Sequence, residues 1–113
     1  MKIQGPAKLV RIYIGDTDTW HGQSLYNAIV ERAKKEGLAG ATVTRGIEGF
    51  GANSRIHTTS ILRLSEDLPV KIEIIDIAER IEGFLPLLEE MVTEGIITIQ
   101  DCEIIKYVHS KKG

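Results

Sequence analysis

Gly46, Gly49 and Gly51 fall within six residues of one another and are followed by Asn53, Arg55, His57 and the hydroxyl side chains of Thr58, Thr59 and Ser60. Glycines at 49 and 51 let backbone N–H groups approach anion oxygens closely, and Arg55 offers a planar fork of donors to the same anion. That is chemistry suited to a phosphate. A hairpin uses the same glycines for a bulge and a turn, so the pattern alone leaves both readings open. The segment 51–68 holds little that can enter a core, and such loops carry the groups that touch ligands and partners. It is the expected business end of the chain.

A second polar loop, GDTDTWHG, carries Asp16, Asp18, Trp20 and His21. These side chains can line a cleft, with Trp20 stacked on a base or capping a neighbouring subunit. Alternatively the aspartates make turn and capping hydrogen bonds while Trp20 packs over the first helix. His21, His57 and His109 could meet across subunit boundaries, but metal ligation is not expected, because there is no HxxxH or CxxC spacing and Cys102 reads as a small core residue. Nor is catalysis. His57, Ser60 and Asp67 can be drawn as a hydrolytic set, but nothing resembles a nucleophile elbow.

These loops need a scaffold, and period-two alternation supplies its strands. In KLVRIYI, Val10, Ile12 and Ile14 share one side, opposite Leu9, Arg11 and Tyr13. A helix capped by Ser24 and stopped at Gly37 presents Leu25, Ala28, Ile29 and Ala33 as one stripe, so it should cover the oily side of that strand. Residues 41 to 50 read as a second strand, 58 to 64 as a returning hairpin arm, and Val70 to Ile77 as a central strand. Ile77, Ile81, Phe84, Leu85, Leu88, Met91 and Val92 then recur at helical spacing. Pro86 interrupts that helix, and a kink there or a break after Gly83 is expected. IITIQDCEIIKYV closes the chain as a strand, with a bulge or turn at Gln100 and Asp101.

The order is α+β, a ferredoxin-like βαββαβ sandwich with an antiparallel sheet, both helices on one face and an extra hairpin arm. On the opposite face Lys71, Glu73 and Ile75 are joined by Arg11; that face is either open to water, or charges such as Arg11 and Glu73 pair across subunits and fix the register of an oligomer. A length of 113 residues fits a single domain, 1–113, and 42% hydrophobic content suffices for a modest core without disulfides. The net charge of −2, with both signs interspersed, gives no field for nucleic acid or an anionic membrane. No signal peptide is evident, and the apolar runs fall far short of the roughly 20 residues needed to span a bilayer. A cytoplasmic protein without direct membrane insertion is expected.

GATVTRGIEGFG at 40–51, the polar loop after it, LPVKIEII at 68–75 and an amphipathic helix together resemble the PII signalling proteins, which carry GMTVT, GFG and a KIEIV-like strand. The similarity runs in order over nearly the whole chain. YIGDTDTWHG, RGIEGFG, HTTSILRLSEDLPV and FLPLLEEM look more narrowly like an uncharacterised, domain-of-unknown-function branch of PII-like proteins. This resemblance implies a homotrimer with inward-facing sheets and adenine-nucleotide sites in the clefts between subunits. It further implies that the 51–68 loop relays ligand state to a partner protein, such as a membrane transporter or channel. By matching position it places Thr42 near the adenine, Gly49, Phe50 and Gly51 at the phosphates, and Ile75 at the end of the strand lining the base. Asn53, Arg55 and His57 fall in the loop, where the match is looser.

The chain also departs from the PII pattern. After Gly95 stands IITIQDCE in place of a GDGK-type run, and the C-terminal arginine pair is missing, leaving Lys106, His109, Lys111 and Lys112. No tyrosine lies between Tyr26 and Tyr107 to be uridylylated. AMP or ADP is therefore expected in preference to magnesium-ATP, and no cofactor is obligatory. The alternatives are a ligand-independent interaction module for a transporter or channel, or a metal-binding trimer.

Overall fold

The computed structural model describes residues 2–49, 57–58 and 68–109, with the backbone alone at 57–58. The elements follow in the order β1 (Lys2–Gly15), β2 (Thr19–Trp20), β3 (Gln23–Ser24), α1 (Leu25–Lys35), β4 (Ala41–Arg45), β5 (Glu48–Gly49), β6 (His57–Thr58), β7 (Pro69–Ile77), α2 (Ala78–Met91) and β8 (Ile96–Val108). Four strands form an antiparallel sheet in the order β4-β7-β1-β8, while β2-β3 and β5-β6 are small separate ladders. Non-adjacent strands joined through helices are the split βαβ units of a ferredoxin-like sandwich.

Alternation decides which face is covered. Val10, Ile12 and Ile14 of β1 lie opposite Ile74, Ile72 and Val70 of β7, and all six are buried with Leu25, Ala28, Ile29 and Ala33 of α1 and Ile81, Phe84, Leu88 and Met91 of α2. Both helices therefore sit on this one face. At the C-terminus of α1, Gly37 takes φ +83, its N–H donates to the Lys34 carbonyl, and the Leu38 N–H donates to the Ala33 carbonyl. This is a Schellman stop, fixed by packing of Leu38 against the core. Asp76, fully buried at the end of β7, accepts from the Ala39 N–H at 2.9 Å and from its neighbour's Ile77 N–H at 2.7 Å. It thereby ties the α1–β4 connection to the start of α2.

Three local expectations are corrected, and of the two outcomes expected in α2 the break is absent. Ser24 occupies the N-cap position of α1 but makes no side-chain cap bond; the Leu25 N–H goes instead to the Asp18 carbonyl. The helix α2 is not broken after Gly83 and runs through Pro86 to Met91. Pro86 and Glu82 both face water, so the carbonyl left without a partner is solvated. Residues 41 to 50 are not one strand, because at Gly46 the N–H turns to the Pro69 carbonyl at 2.7 Å and the ladder stops. β8 passes Gln100 and Asp101 without a bulge, since both have cross-strand partners: Lys8 Nζ meets Asp101 Oδ1 at 2.6 Å and Arg11 Nη1 donates to Gln100 Oε1 at 2.7 Å. The register shift falls instead between Ile3 and Gly5. Of the hairpin arm expected at 58–64, only Thr58 is described; with His57 it pairs with β5, and the rest lies outside the described residues. Among the described residues no helix is long and apolar enough to cross a membrane.

Candidate functional site

β1 and β8 contain 14 and 13 residues against 9 in β7, so both run on past Ile77, where β7 ends opposite Ala7. The overhanging ribbon carries the register shift and Gly5 at φ +108, and it curls over the sheet face that the helices leave open. Two observations establish the curl. Ala7 and Leu9 point to the open face yet are only 3% and 9% exposed, and the Tyr107 hydroxyl on one edge strand donates to the Ala39 carbonyl beside the other edge strand at 2.9 Å. Flat, a four-stranded sheet would hold its edges roughly 14 Å apart. The space beneath is a cleft of about 670 Å³.

Cross-strand register builds its floor. Thr42 lies opposite Glu73, which lies opposite Arg11, while Ile75 lies opposite Leu9. Leu9, Ile75 and Cys102 give an apolar floor, Ala39, Gly40 and Ala41 form one wall, and Glu103 to Tyr107 form the other. Arg11 Nε donates to Glu73 Oε2 at 2.9 Å, with Lys71 Nζ 4.0 Å from the same oxygen. The Arg11 hydrogen bond, helped by the Lys71 charge, holds the Glu73 carboxyl below its usual range against a smaller opposing effect of burial. The polar residues on the lining are thus Thr42, Glu73, Glu103, Lys106 and Tyr107, of which Glu103 alternates, like Asp101, to the side of β8 away from Cys102. It can take a flat apolar group with a few polar edges and little negative charge.

Thr42 and Ile75, singled out from sequence, come together on this floor. Gly49 does not join them: a Cβ there would stand 3.2 Å from Pro69 Cγ, and Pro69 lies six residues, roughly 20 Å of strand, from Ile75. The backbone of His57 pairs with Gly49, while Phe50, Gly51, Asn53 and Arg55 lie outside the described residues. Cys102, expected in the core, lines the cleft half-buried, because it falls opposite Ala7 on the open face. Glu73 and Tyr107 also line the cleft, though neither is among the ligand-facing residues to which the sequence points. Strand alternation already set Glu73 on the open face; the excess length of β1 and β8 was the available sign of Tyr107.

The second loop lies apart from this cleft. Asp18 Oδ2 accepts from the Gly15 N–H at 3.0 Å, and its backbone bonds both Gly15 and Leu25. Asp16 exchanges hydrogen bonds with Leu68, donating its N–H to the carbonyl at 2.9 Å and accepting the Leu68 N–H at 3.2 Å, while Arg45 Nε stands 3.2 Å from its second oxygen. Trp20 packs against the core, and His21, at φ +48, stacks on it with ring centroids 4.2 Å apart. Among the described residues no three histidine, cysteine or acidic side chains gather as a metal site.

The solved structures most informative for this architecture share the fold at low identity. A protein described as PII-like signaling (TTHA0516), from Thermus thermophilus, superposes with a TM-score of 0.65 at 23% identity, over 90% of this chain and 92% of that one. CPII from Thiomonas intermedia K12, bound to ADP and bicarbonate, gives 0.59 at 18%, over 90% and 91%. The same CPII bound to ADP, AMP and bicarbonate gives 0.60 at 17%, with the same coverage. In sequence, the UPF0166 protein MJ1524 of Methanocaldococcus jannaschii is 42% identical over 101 residues, 88% of this chain and 93% of that protein. A UPF0166 protein of Aquifex aeolicus is 40% identical over 98 residues, 87% and 92%. The family model DUF190, described as "Uncharacterized ACR, COG1993", matches residues 7–104. With that match and these relatives, the chain belongs to the DUF190 (UPF0166) family, and its fold is the one seen in the PII-like structures.

Proposed function

We propose that this chain is a PII-like regulatory protein, one domain over 1–113, that takes an adenine nucleotide into the cleft beneath the curled ribbon and reports its presence to a partner protein through the 51–68 loop. The carrying observation is that Thr42 and Ile75, matched by position to the adenine surroundings of PII proteins, meet on the floor of one cleft with apolar Leu9 beside them. A base lies well on such a floor, and Thr42 supplies a hydroxyl at its edge. That CPII was solved with ADP and AMP supports the same ligand class.

Charge selects within that class. Lys106 is the one basic residue on the described lining and Glu73 is acidic, a poor match for a triphosphate, so AMP or ADP is favoured over magnesium-ATP. In a homotrimer a neighbouring copy would complete the cleft and bring its own loop glycines toward the phosphate, with a membrane transporter or channel as the class of partner the PII resemblance implies. No catalytic step is proposed, and the protein would act in the cytoplasm.

Isothermal titration of nucleotide-stripped protein with AMP, ADP, ATP and cyclic AMP is the test. Saturable binding of AMP or ADP, weaker binding of ATP, and loss of binding in Ile75→Glu are expected. Heat from none of the four would overturn the nucleotide reading, and tightest binding of ATP would overturn the charge argument.

A further inference from the structure

The contact that closes the cleft spans the two edges of the sheet. β4 and β8 are its outer strands, so the bond from Tyr107 to the Ala39 carbonyl joins segments that are distant in both sequence and sheet order. Nothing else in the cleft wall does this among the hydrogen bonds of the described residues. Tyr107 is half-buried, its ring 5.9 Å from that of His109 in an edge-on contact, and the strand carrying it is paired on one side only, to β1. At the root of the ribbon the register shifts between Ile3 and Gly5, and Gly5 takes φ +108, a conformation open to glycine at little cost. Among the described residues, one neutral hydrogen bond from the ribbon to the far edge and an irregular ladder at its root make a segment able to move without unfolding the sheet.

We propose that the end of the β1–β8 ribbon is a strap over the cleft, latched by the Tyr107–Ala39 hydrogen bond and hinged at Gly5. Latched, it covers Leu9 and restricts access to Cys102; released, it opens the floor. The 670 Å³ beneath it is ample for a small ligand; Ile75 is already reached by solvent, and lifting the strap would widen access to the Leu9 and Cys102 side of the floor. Its role as a gate for ligand rests on the nucleotide reading, whereas the latch itself rests on geometry alone.

Cys102 is the sole cysteine of the chain and lines the cleft, so its reaction with a neutral maleimide reports the opening directly. Tyr107→Phe removes the hydroxyl and keeps the ring. The alkylation rate of the full-length variant is expected to rise about five-fold over wild type, the gain in open population when one ordinary hydrogen bond is lost. An unchanged rate in a natively folded variant overturns the latch. Hydrogen exchange on the wild-type chain stands independently of whether the variant folds. Amides of Ile105 to Tyr107 are expected to exchange by local opening, ahead of those of Ile72 to Ile74, and equal protection of both would overturn a moving strap. Neither readout uses a nucleotide. Absence of nucleotide binding would therefore leave the strap standing, and a rigid ribbon would leave the binding reading standing.

Discussion

The two ends of the sheet are built on opposite plans. At the end where β7 begins, Asp16 binds Leu68 and Arg45, the Gly46 N–H binds the Pro69 carbonyl, and Gly95 lies against Tyr13, so polar groups and backbone are matched within the chain. At the end where β7 stops, Thr42, Glu73 and Lys106 lie on the lining of a cleft. Polar residues are plentiful at both ends. The difference is whether their partners are internal, and it implies that substitutions at the first end cost stability while those at the second cost binding.

Gly95→Ala should break the closed end most severely. Gly95 has φ +143, and a Cβ there would stand 2.5 Å from the Tyr13 carbonyl oxygen, a backbone atom held in the sheet. Strain at the glycine and displacement of the strand together should cost about 3 kcal/mol. Urea denaturation is the measurement, and a midpoint equal to wild type would show that this end yields more easily than its contacts indicate. Asp16→Ala should follow at about 1–2 kcal/mol, because it strands the Leu68 N–H and removes the Arg45 partner. Asp16→Asn retains an acceptor for Leu68 and should recover most of that loss, since the ion pair to a half-exposed arginine contributes little.

How far each end was legible in the sequence follows from the range of its contacts. Period-two alternation gave β1 and β7 their buried faces, and helical spacing gave α1 its stripe, because these patterns are local. Gly46 is intelligible only beside Pro69, 23 positions away, where a Cβ would lie 2.8 Å from the proline ring. Gln100 and Asp101 looked like a break in a strand because alternation takes no account of the cross-strand partners Arg11 and Lys8. Within the cleft, Thr42 and Ile75 were reached through similarity to a family, whereas Tyr107 depends on the ribbon's curl, which no local pattern encodes. Of the two readings open for Asp16 and Asp18, the described contacts match turn and loop closure.

The open end should respond in the other sense. Ile75 is 41% exposed, so Ile75→Thr, which keeps a β-branched side chain, should change stability by no more than about 0.5 kcal/mol. If a base rests on it, AMP affinity should drop about tenfold, equivalent to roughly 1.4 kcal/mol. Thermal unfolding and calorimetry on the same sample separate the two effects. Lost stability with unaltered affinity would assign Ile75 to packing and erase the contrast between the ends.

Glu73 gives the smallest effect and the sharpest boundary, since it lines the cleft yet has an internal partner in Arg11. The Arg11 hydrogen bond favours the carboxylate, so the folded chain releases this proton at lower pH than the unfolded chain, whose value is near the ordinary 4.5. Between the lowered folded value and 4.5 the unfolded state binds more of this proton, and stability rises with pH. The contribution is complete above 4.5 and disappears as pH falls through the folded value. Its size should not exceed about 1 kcal/mol, because both partners remain partly solvated. Other carboxylates titrate in the same range, so the informative quantity is the stability difference between wild type and Glu73→Gln, measured by urea denaturation at each pH. That gap should be present at neutral pH and close in acid. A gap that persists unchanged would show that Glu73 acts by packing; no gap at any pH would mean that Arg11 stabilises the carboxylate too little to matter, leaving Glu73 free to serve the cleft.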